Sequence, residues 1–274
     1  PAILFYLIFM IFPTLNAFYL SFFKYDMFTI REFIGLKNYI ALFSESLFRW
    51  SLFVTFIYVF ATAVPIVIIA LGSALILNEA MRGRAIYRTI FYLPSVMSLV
   101  AVAIIFSGIF NSQGMVNYFL NYLMNREHVI RWLSEMPSAL YAIMITRIWR
   151  SFGYYMVIFL AGLQNIPVTY YEAAVVDGIN GWKQFRYITL PLLTPTTIIV
   201  SLVTVVNAFQ AFTVPFVMTN GGPAERTSIL PIQLYKTGFM YFKMGKASAI
   251  SVVIFVTIAA FALVQFRLSR KFDQ

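Results

Sequence analysis

The 274-residue sequence has no cysteine and a single histidine, His128. Disulfides and thiolate metal sites are therefore excluded, and one imidazole is too few for most histidine-based metal chemistry. Charge is scarce as well: Asp, Glu, Lys and Arg make up 11% of the chain, against roughly 25% in ordinary soluble domains. Acids are the scarcer kind, 10 against 20 basic residues, for a net charge of +10. That balance could suit nucleic acid, but the cations are scattered through short connections and not gathered on one soluble face. Anionic lipid headgroups account for them better.

What the chain has instead is apolar length. It is 61% hydrophobic with 29 phenylalanines and a mean hydropathy of +0.82, so water is not its main solvent. A helix crossing a hydrocarbon core of about 30 Å needs roughly 20 apolar residues. Six segments meet that requirement: 1–23, 50–77, 89–110, 138–163, 192–217 and 247–266. Their runs are continuous and lack the alternation of the roughly ten-residue strands of a membrane barrel. The predicted fold is an all-α polytopic membrane protein, a single transmembrane domain of six helices. Pro13, Pro65, Pro94 and Pro215 fall inside these segments, where neighbouring helices can satisfy the freed carbonyls, and kinks are expected at them. The sequence opens within an apolar stretch without an initiator Met, so the natural amino terminus is expected to lie upstream.

With the first end inside, the outer connections carry ten Lys and Arg and the inner ones eight, which is the wrong way round for a raw count. Density points the other way. Arg82, Arg84 and Arg88 crowd one short connection, and Arg267, Arg270 and Lys271 crowd the end. The outer cations lie in longer loops and are partly matched by Asp26, Glu32, Glu45, Glu127, Glu135 and Glu225. Both termini are assigned to the cytoplasm, which leaves 24–49, 111–137 and 218–246 on the outer face.

The inner connection 164–191 has the signature of a helix-turn-helix lying on the membrane face. Thr169 and Glu172 have capping-box spacing, which predicts a helix start. Gly178 lies where a left-handed terminating residue belongs, Asn180 can cap a second helix, and Pro191 should end it. Ala173 and Ala174 make a low patch that another protein could approach closely, and Tyr170 and Tyr171 supply amphipathic anchors. Asp177 sits near the carboxyl end of the first helix, where the macrodipole disfavours an anion by a few tenths to about 1 kcal/mol. A cationic partner is expected for it, either Arg186 or a group on another subunit. On helix chemistry alone the loop could equally be an ordinary capped connector.

The spacing of Glu172-Ala-Ala, Gly178 and Ile188-x-Leu190-Pro191 resembles the EAA loop of ABC importer permeases. Phe33-Ile-Gly-Leu-Lys-Asn-Tyr39, Gly83-Arg-Ala-Ile-Tyr-Arg-Thr-Ile-Phe-Tyr-Leu-Pro94, Ala161-Gly-Leu-Gln-Asn-Ile-Pro167 and Thr219-Asn-Gly-Gly-Pro223 are similar to the carbohydrate branch, the maltose and glycerol-3-phosphate type. The resemblance covers nearly the whole chain. It implies a permease subunit in the bacterial cytoplasmic (inner) membrane, paired with a second permease subunit to form a heterodimer. Two ATP-binding subunits and an extracytoplasmic substrate-binding protein complete the implied complex. It further implies that Glu172, Ala173, Ala174, Asp177 and Gly178 couple to the ATPase. No GxxxxGK[ST] phosphate loop occurs in the chain. ATP and Mg are therefore expected on the partner subunits, with no cofactor or metal in this chain and no ATPase activity of its own.

In the fourth segment Arg147 and Arg150 lie three apart on one helical face. At 1.5 Å per residue they sit roughly 14 and 18 Å beyond Ser138, close to midplane. An Arg at that depth costs about 2.5–3.5 kcal/mol on insertion scales, so both should face a wet cavity or the bundle interior. They could line a substrate path, they could pair with carbonyls or a partner subunit to hold the bundle together, or the span could begin later and leave them nearer the outer surface. Trp149, Tyr154 and Tyr155 lie beside them, and aromatic faces with nearby donors suit sugar rings. Asn207 and Gln210, flanked by Phe209 and Phe212, add a polar pair to the fifth segment, either for sugar or for interhelical hydrogen bonds. If the arginines face the path, an anionic sugar is the expected cargo.

Asn220-Gly-Gly-Pro223 is a turn signal that ends the fifth segment. By resemblance, 218–246 and 111–137 are candidate docking surfaces for the binding protein, with His128 as a solvated bystander. Loop 24–49 either joins them or lies in the interface through Phe33, Tyr39 and Phe43. The competing class, a self-contained secondary transporter or channel, has few places for carboxylate coupling, because no Asp or Glu lies within the six segments. A membrane enzyme lacks any recognisable nucleophile, base or metal cluster.

Overall fold

The computed structural model describes every residue except 27, 29–30, 80–81, 126–128 and 270–274, and only the backbone of 268–269. His128, Glu127, Arg270 and Lys271 lie outside the described residues. Helix dominates. The helices are α1 (Ala2–Leu20), α2 (Lys37–Ser44), α3 (Ser46–Asn78), α4 (Arg84–Val96), α5 (Leu99–Ile109), α6 (Met115–Met124), α7 (Ser138–Gln164) and α8 (Val168–Val176). They continue as α9 (Gly181–Leu192), α10 (Thr194–Phe209), α11 (Thr213–Thr219), α12 (Leu230–Tyr235) and α13 (Met244–Ser269). A two-residue ladder, β1 (Phe23–Lys24) with β2 (Glu32–Phe33), is antiparallel and pairs Phe23 with Phe33.

Among the described residues α1, α3 and the 244–267 stretch of α13 are each long and apolar enough to span alone. Three bent pairs bring the number to as many as six. The predicted segment 89–110 is one of them: α4 and α5 meet at 96° across Met97 and Ser98, so it is a bent pair and not a single helix. Pro94 lies in the last turn of α4, and with no N–H to donate it weakens the ladder there. The segment 192–217 is also interrupted. Its α10 stops at Phe209, Gln210 to Phe212 are irregular, and Pro215 falls in the first turn of α11, where its missing N–H costs nothing.

The prolines act unequally. The 33-residue α3 continues as one helix through Pro65. In α1 and α9 a π turn ends two residues before a proline: Leu7–Ile11 before Pro13, and Phe185–Thr189 before Pro191. The widened turn accommodates the ring that would clash with the carbonyl four residues back. Pro191 therefore does not end its helix, which runs to Leu192 before turning by 68° into α10.

The core is the packing of α3 on α7. Ala70 and Ala74 of α3 are fully buried opposite Met156, Phe159 and Leu160 of α7. Small residues let backbones approach closely, which is how dispersion holds helices together where lipid removes the hydrophobic drive. On the other face of α7, a Cβ at Gly153 would stand 1.8 Å from the Phe91 carbonyl oxygen, so only glycine admits α4.

The connections assigned to the outer face are built structures. In 111–137 the buried Asn117 amide donates to the carbonyls of Ser112 (2.9 Å) and Ile130 (2.7 Å) and accepts from the Trp132 indole (3.0 Å). In 218–246 Lys236 pairs with Glu225 and donates to Asn220 O at 2.8 Å. In 24–49 Tyr39 donates to Ser21 Oγ at 2.7 Å and is half-buried, whereas Phe33 and Phe43 are exposed.

Candidate functional site

Two regions collect the predicted residues. The first is a cavity of about 450 Å³ lined by α3, α4, α5, α7, α10 and α11. From α7 come Arg147, Arg150, Ser151, Tyr154 and Tyr155, whose spacing of three, four, seven and eight residues is one helical face. Asn207 and Gln210 approach from α10 and its end, and Tyr58, Ser95, Leu99 and Phe212 close the walls. Trp149 does not join them. It is more than a third exposed and packs its ring 5.0 Å from Phe106, because one residue of offset turns it about 100° from the Arg150 face.

Each arginine is held at the end of a helix. Arg150 Nη2 donates to Ser95 O at 2.9 Å and Met97 O at 3.4 Å, the carbonyls left without helical partners where α4 turns into α5. Arg147 Nη2 donates to Asn207 O at 3.4 Å, in the last turn of α10. Asn207 in turn donates its amide to the Tyr155 hydroxyl at 3.1 Å. Lipid offers such carbonyls nothing, so a guanidinium fork is a fitting partner. Both arginines line the cavity and both bind carbonyls. The sequence alone did not single out Tyr58 or Ser151. The available signals were a hydroxyl in the middle of an apolar segment and a serine one turn from Arg147.

The second region is the helix-turn-helix of α8 and α9, which α7 enters through a 65° bend. Its α8 begins at Val168 after Pro167, with no side-chain cap, so the capping box of Thr169 and Glu172 is not formed and Pro at the N-cap sets the start instead. The end is as expected: Gly178 adopts φ +71°, Gly178 N donates to Val175 O at 3.0 Å, and Ile179 N to Ala174 O at 2.7 Å. These are the two bonds of a Schellman stop. Asn180 occupies the N-cap of α9 but its side chain makes no capping bond.

Glu172 and Ala173 are exposed, whereas Ala174 is 4% exposed and packs inside the chain, so the outward patch contains one alanine and not two. Tyr171 is also turned inward, its hydroxyl 3.0 Å from Thr189 Oγ1, which ties α8 to α9. Asp177 is exposed and, among the described residues, forms no ion pair with Arg186. Val175, Val176, Trp182 and Tyr187 are each more than 60% exposed, so α8 and α9 present apolar surface beside the exposed Glu172 and Asp177 of the same helix-turn-helix.

A family model described as "Binding-protein-dependent transport system inner membrane component" matches residues 37–274. The probable ABC transporter permease protein YesP of Bacillus subtilis (strain 168) is 41% identical, over 98% of this chain and 88% of that protein. The trehalose/maltose transport system permease protein MalF of Thermococcus litoralis is 33% identical, over 98% of this chain and 91% of that protein. Among solved structures, a bacterial ABC transporter involved in the import of the acidic polysaccharide alginate has a chain of the same fold. The TM-score is 0.87 at 22% identity, covering 100% of this chain and 94% of that one.

Proposed function

The chain belongs to the family of binding-protein-dependent transport system inner membrane components, and on that premise we propose that it is the membrane-spanning subunit of an ATP-driven carbohydrate importer. Its partners are a second, similar permease subunit, two ATP-binding subunits that hold ATP and Mg, and an extracytoplasmic binding protein that docks on 111–137 and 218–246. The observation that carries this reading is the continuity of α7, which lines the polar cavity from Arg147 to Tyr155 and runs directly into the helix-turn-helix. From Arg150 to Gln164 is about 21 Å of helix at 1.5 Å per residue. A displacement of α8 by an ATPase subunit therefore reaches the cavity wall through one rigid rod.

In this mechanism Glu172, Ala173 and Asp177 face the ATPase, with Val175 and Val176 covered in the same contact. Gly178 and the inward Ala174 keep α8 at a fixed angle to the bundle. Closure of the ATPases moves α8, and the helices attached to it switch the cavity from inward to outward access. The sugar rings pass between Tyr154, Asn207 and Gln210.

The test is to purify the assembled complex, reconstitute it in liposomes and compare wild type with Glu172→Lys. Charge reversal in the centre of the coupling surface should abolish ATP-dependent uptake while this chain remains folded in the membrane. Uptake that proceeds with no ATPase subunit present would overturn the proposal.

A further inference from the structure

The cavity contains more hydrogen-bond donors than the protein itself uses. Among the described residues, Arg147 Nε, Arg150 Nε, Tyr58 OH and Ser151 Oγ are buried side-chain atoms with no hydrogen-bond partner, and all four belong to residues lining this one cavity. Tyr58 is 0% and Ser151 4% exposed, so water does not reach them over an open surface. Unpartnered polar groups at that depth are costly, and their concentration in one place calls for a ligand. The two guanidinium groups have no Asp or Glu beside them in the lining. Two like charges share the site without a counter-ion among the described residues lining it.

Resting on the reading of the cavity as the sugar path, we infer that it takes the oxyanion of an acidic sugar, a carboxylate or a phosphate ester, held by Arg147, Arg150, Tyr58 and Ser151. An ionised carboxylate or phosphate only accepts hydrogen bonds, and the four unpartnered groups are two cationic N–H donors and two hydroxyls. A neutral sugar brings hydroxyl donors as well as acceptors and leaves both positive charges uncompensated. The forks are already fixed by their bonds to Ser95, Met97 and Asn207 carbonyls, so little rotamer freedom is lost when an anion arrives. A volume of about 450 Å³ accommodates a small saccharide whose rings lie against Tyr154 and Phe212.

The experiment uses the nucleotide-free transport complex in nanodiscs, without the soluble binding protein, so that the membrane site alone selects. Equilibrium dialysis compares digalacturonate, its neutral dimethyl ester and glucose 6-phosphate. The acid should bind on the order of 10-fold to 100-fold more tightly than its ester, the factor expected for charge-assisted hydrogen bonds. Arg147→Gln should erase the difference. Because that variant also frees a helix-end carbonyl, the double variant Tyr58→Phe with Ser151→Ala serves alongside it. It removes no bond that the fold uses, and should weaken the acid by about 10-fold while the complex assembles normally. Preference for glucose 6-phosphate over digalacturonate supports the oxyanion site and assigns it to a phosphate ester. Equal binding of acid and ester, or no binding of either anionic probe, overturns the inference. ATP-dependent import of a neutral sugar in that case leaves the importer reading standing, whereas loss of all ATP-dependent import in the wild type strikes at the importer reading instead.

Discussion

Gly153→Ala should damage this protein far more than one methyl group suggests. The added Cβ would lie 1.8 Å from the Phe91 carbonyl oxygen, whereas a carbon and a carbonyl oxygen come no closer than about 3.3 Å. Helices α4 and α7 would have to separate by roughly 1.5 Å to restore that contact. Ser95 lies one turn after Phe91, and its carbonyl accepts from Arg150 at 2.9 Å. A shift of that size stretches the bond beyond the roughly 3.2 Å limit of a good N–H···O contact. Overpacking costs about 1–3 kcal/mol, and loss of a hydrogen bond from a charged group about 1.5–3 kcal/mol, so the variant should lose about 2.5–6 kcal/mol.

Two other glycines serve as controls. At Gly72 nothing lies within 4 Å of an added Cβ, so Gly72→Ala should be neutral or slightly stabilising. At Gly162 the Cβ meets only the side chains of Thr196 and Leu193, which can move, so an intermediate loss is expected. Unfolding in mixed micelles by SDS titration, followed by tryptophan fluorescence, gives the three values on one scale. Gly153→Ala matching Gly72→Ala would refute the claim that glycine is required by the approach of α4 to α7.

Gly178→Ala has open space around the new methyl and strains only a backbone at φ +71°. A cost of about 1–2 kcal/mol should speed exchange of the Ile179 amide about 5-fold to 30-fold in hydrogen-exchange mass spectrometry, and an unchanged rate would count against the Schellman stop. Lys236→Met leaves Glu225 and the Asn220 carbonyl without their partner. It should lower stability by about 1–3 kcal/mol, whereas Lys246→Met, at the more exposed pair with Glu45, should cost about 1 kcal/mol or less and lose its effect in high salt. Thr55→Val keeps the shape of the side chain but removes the acceptor for the buried Leu230 N–H at 2.9 Å. A loss of about 1–3 kcal/mol is expected in the same SDS titration.

How legible the site was depended on how local its determinants are. The stop at Gly178 could be read directly, because a left-handed residue at that position belongs to the glycine itself and its nearest neighbours. The start of α8 was misplaced, because Pro167 and the bend from α7 set it and not the hydroxyl of Thr169. Arg147 and Arg150 were identifiable as inward-facing from their depth alone. Their partners were not, since Ser95 is 55 and Asn207 60 residues away along the chain.

The amino-acid sequence by itself determined the solvent, the helical class, the apolar segments and the turn at Gly178. Each of these follows from hydropathy or from the conformational range of a single residue. Only the tertiary structure decided that the helices of segments 89–110 and 192–217 are interrupted, that Ala174 turns inward while Ala173 faces out, and that Tyr58 and Ser151 share a cavity with the arginines. Hydropathy reports what surrounds a segment and is blind to the direction of its axis. A break at Met97 and Ser98 is as apolar on both sides as a straight helix would be, and it persists because Arg150, from another helix, satisfies the carbonyls the break exposes.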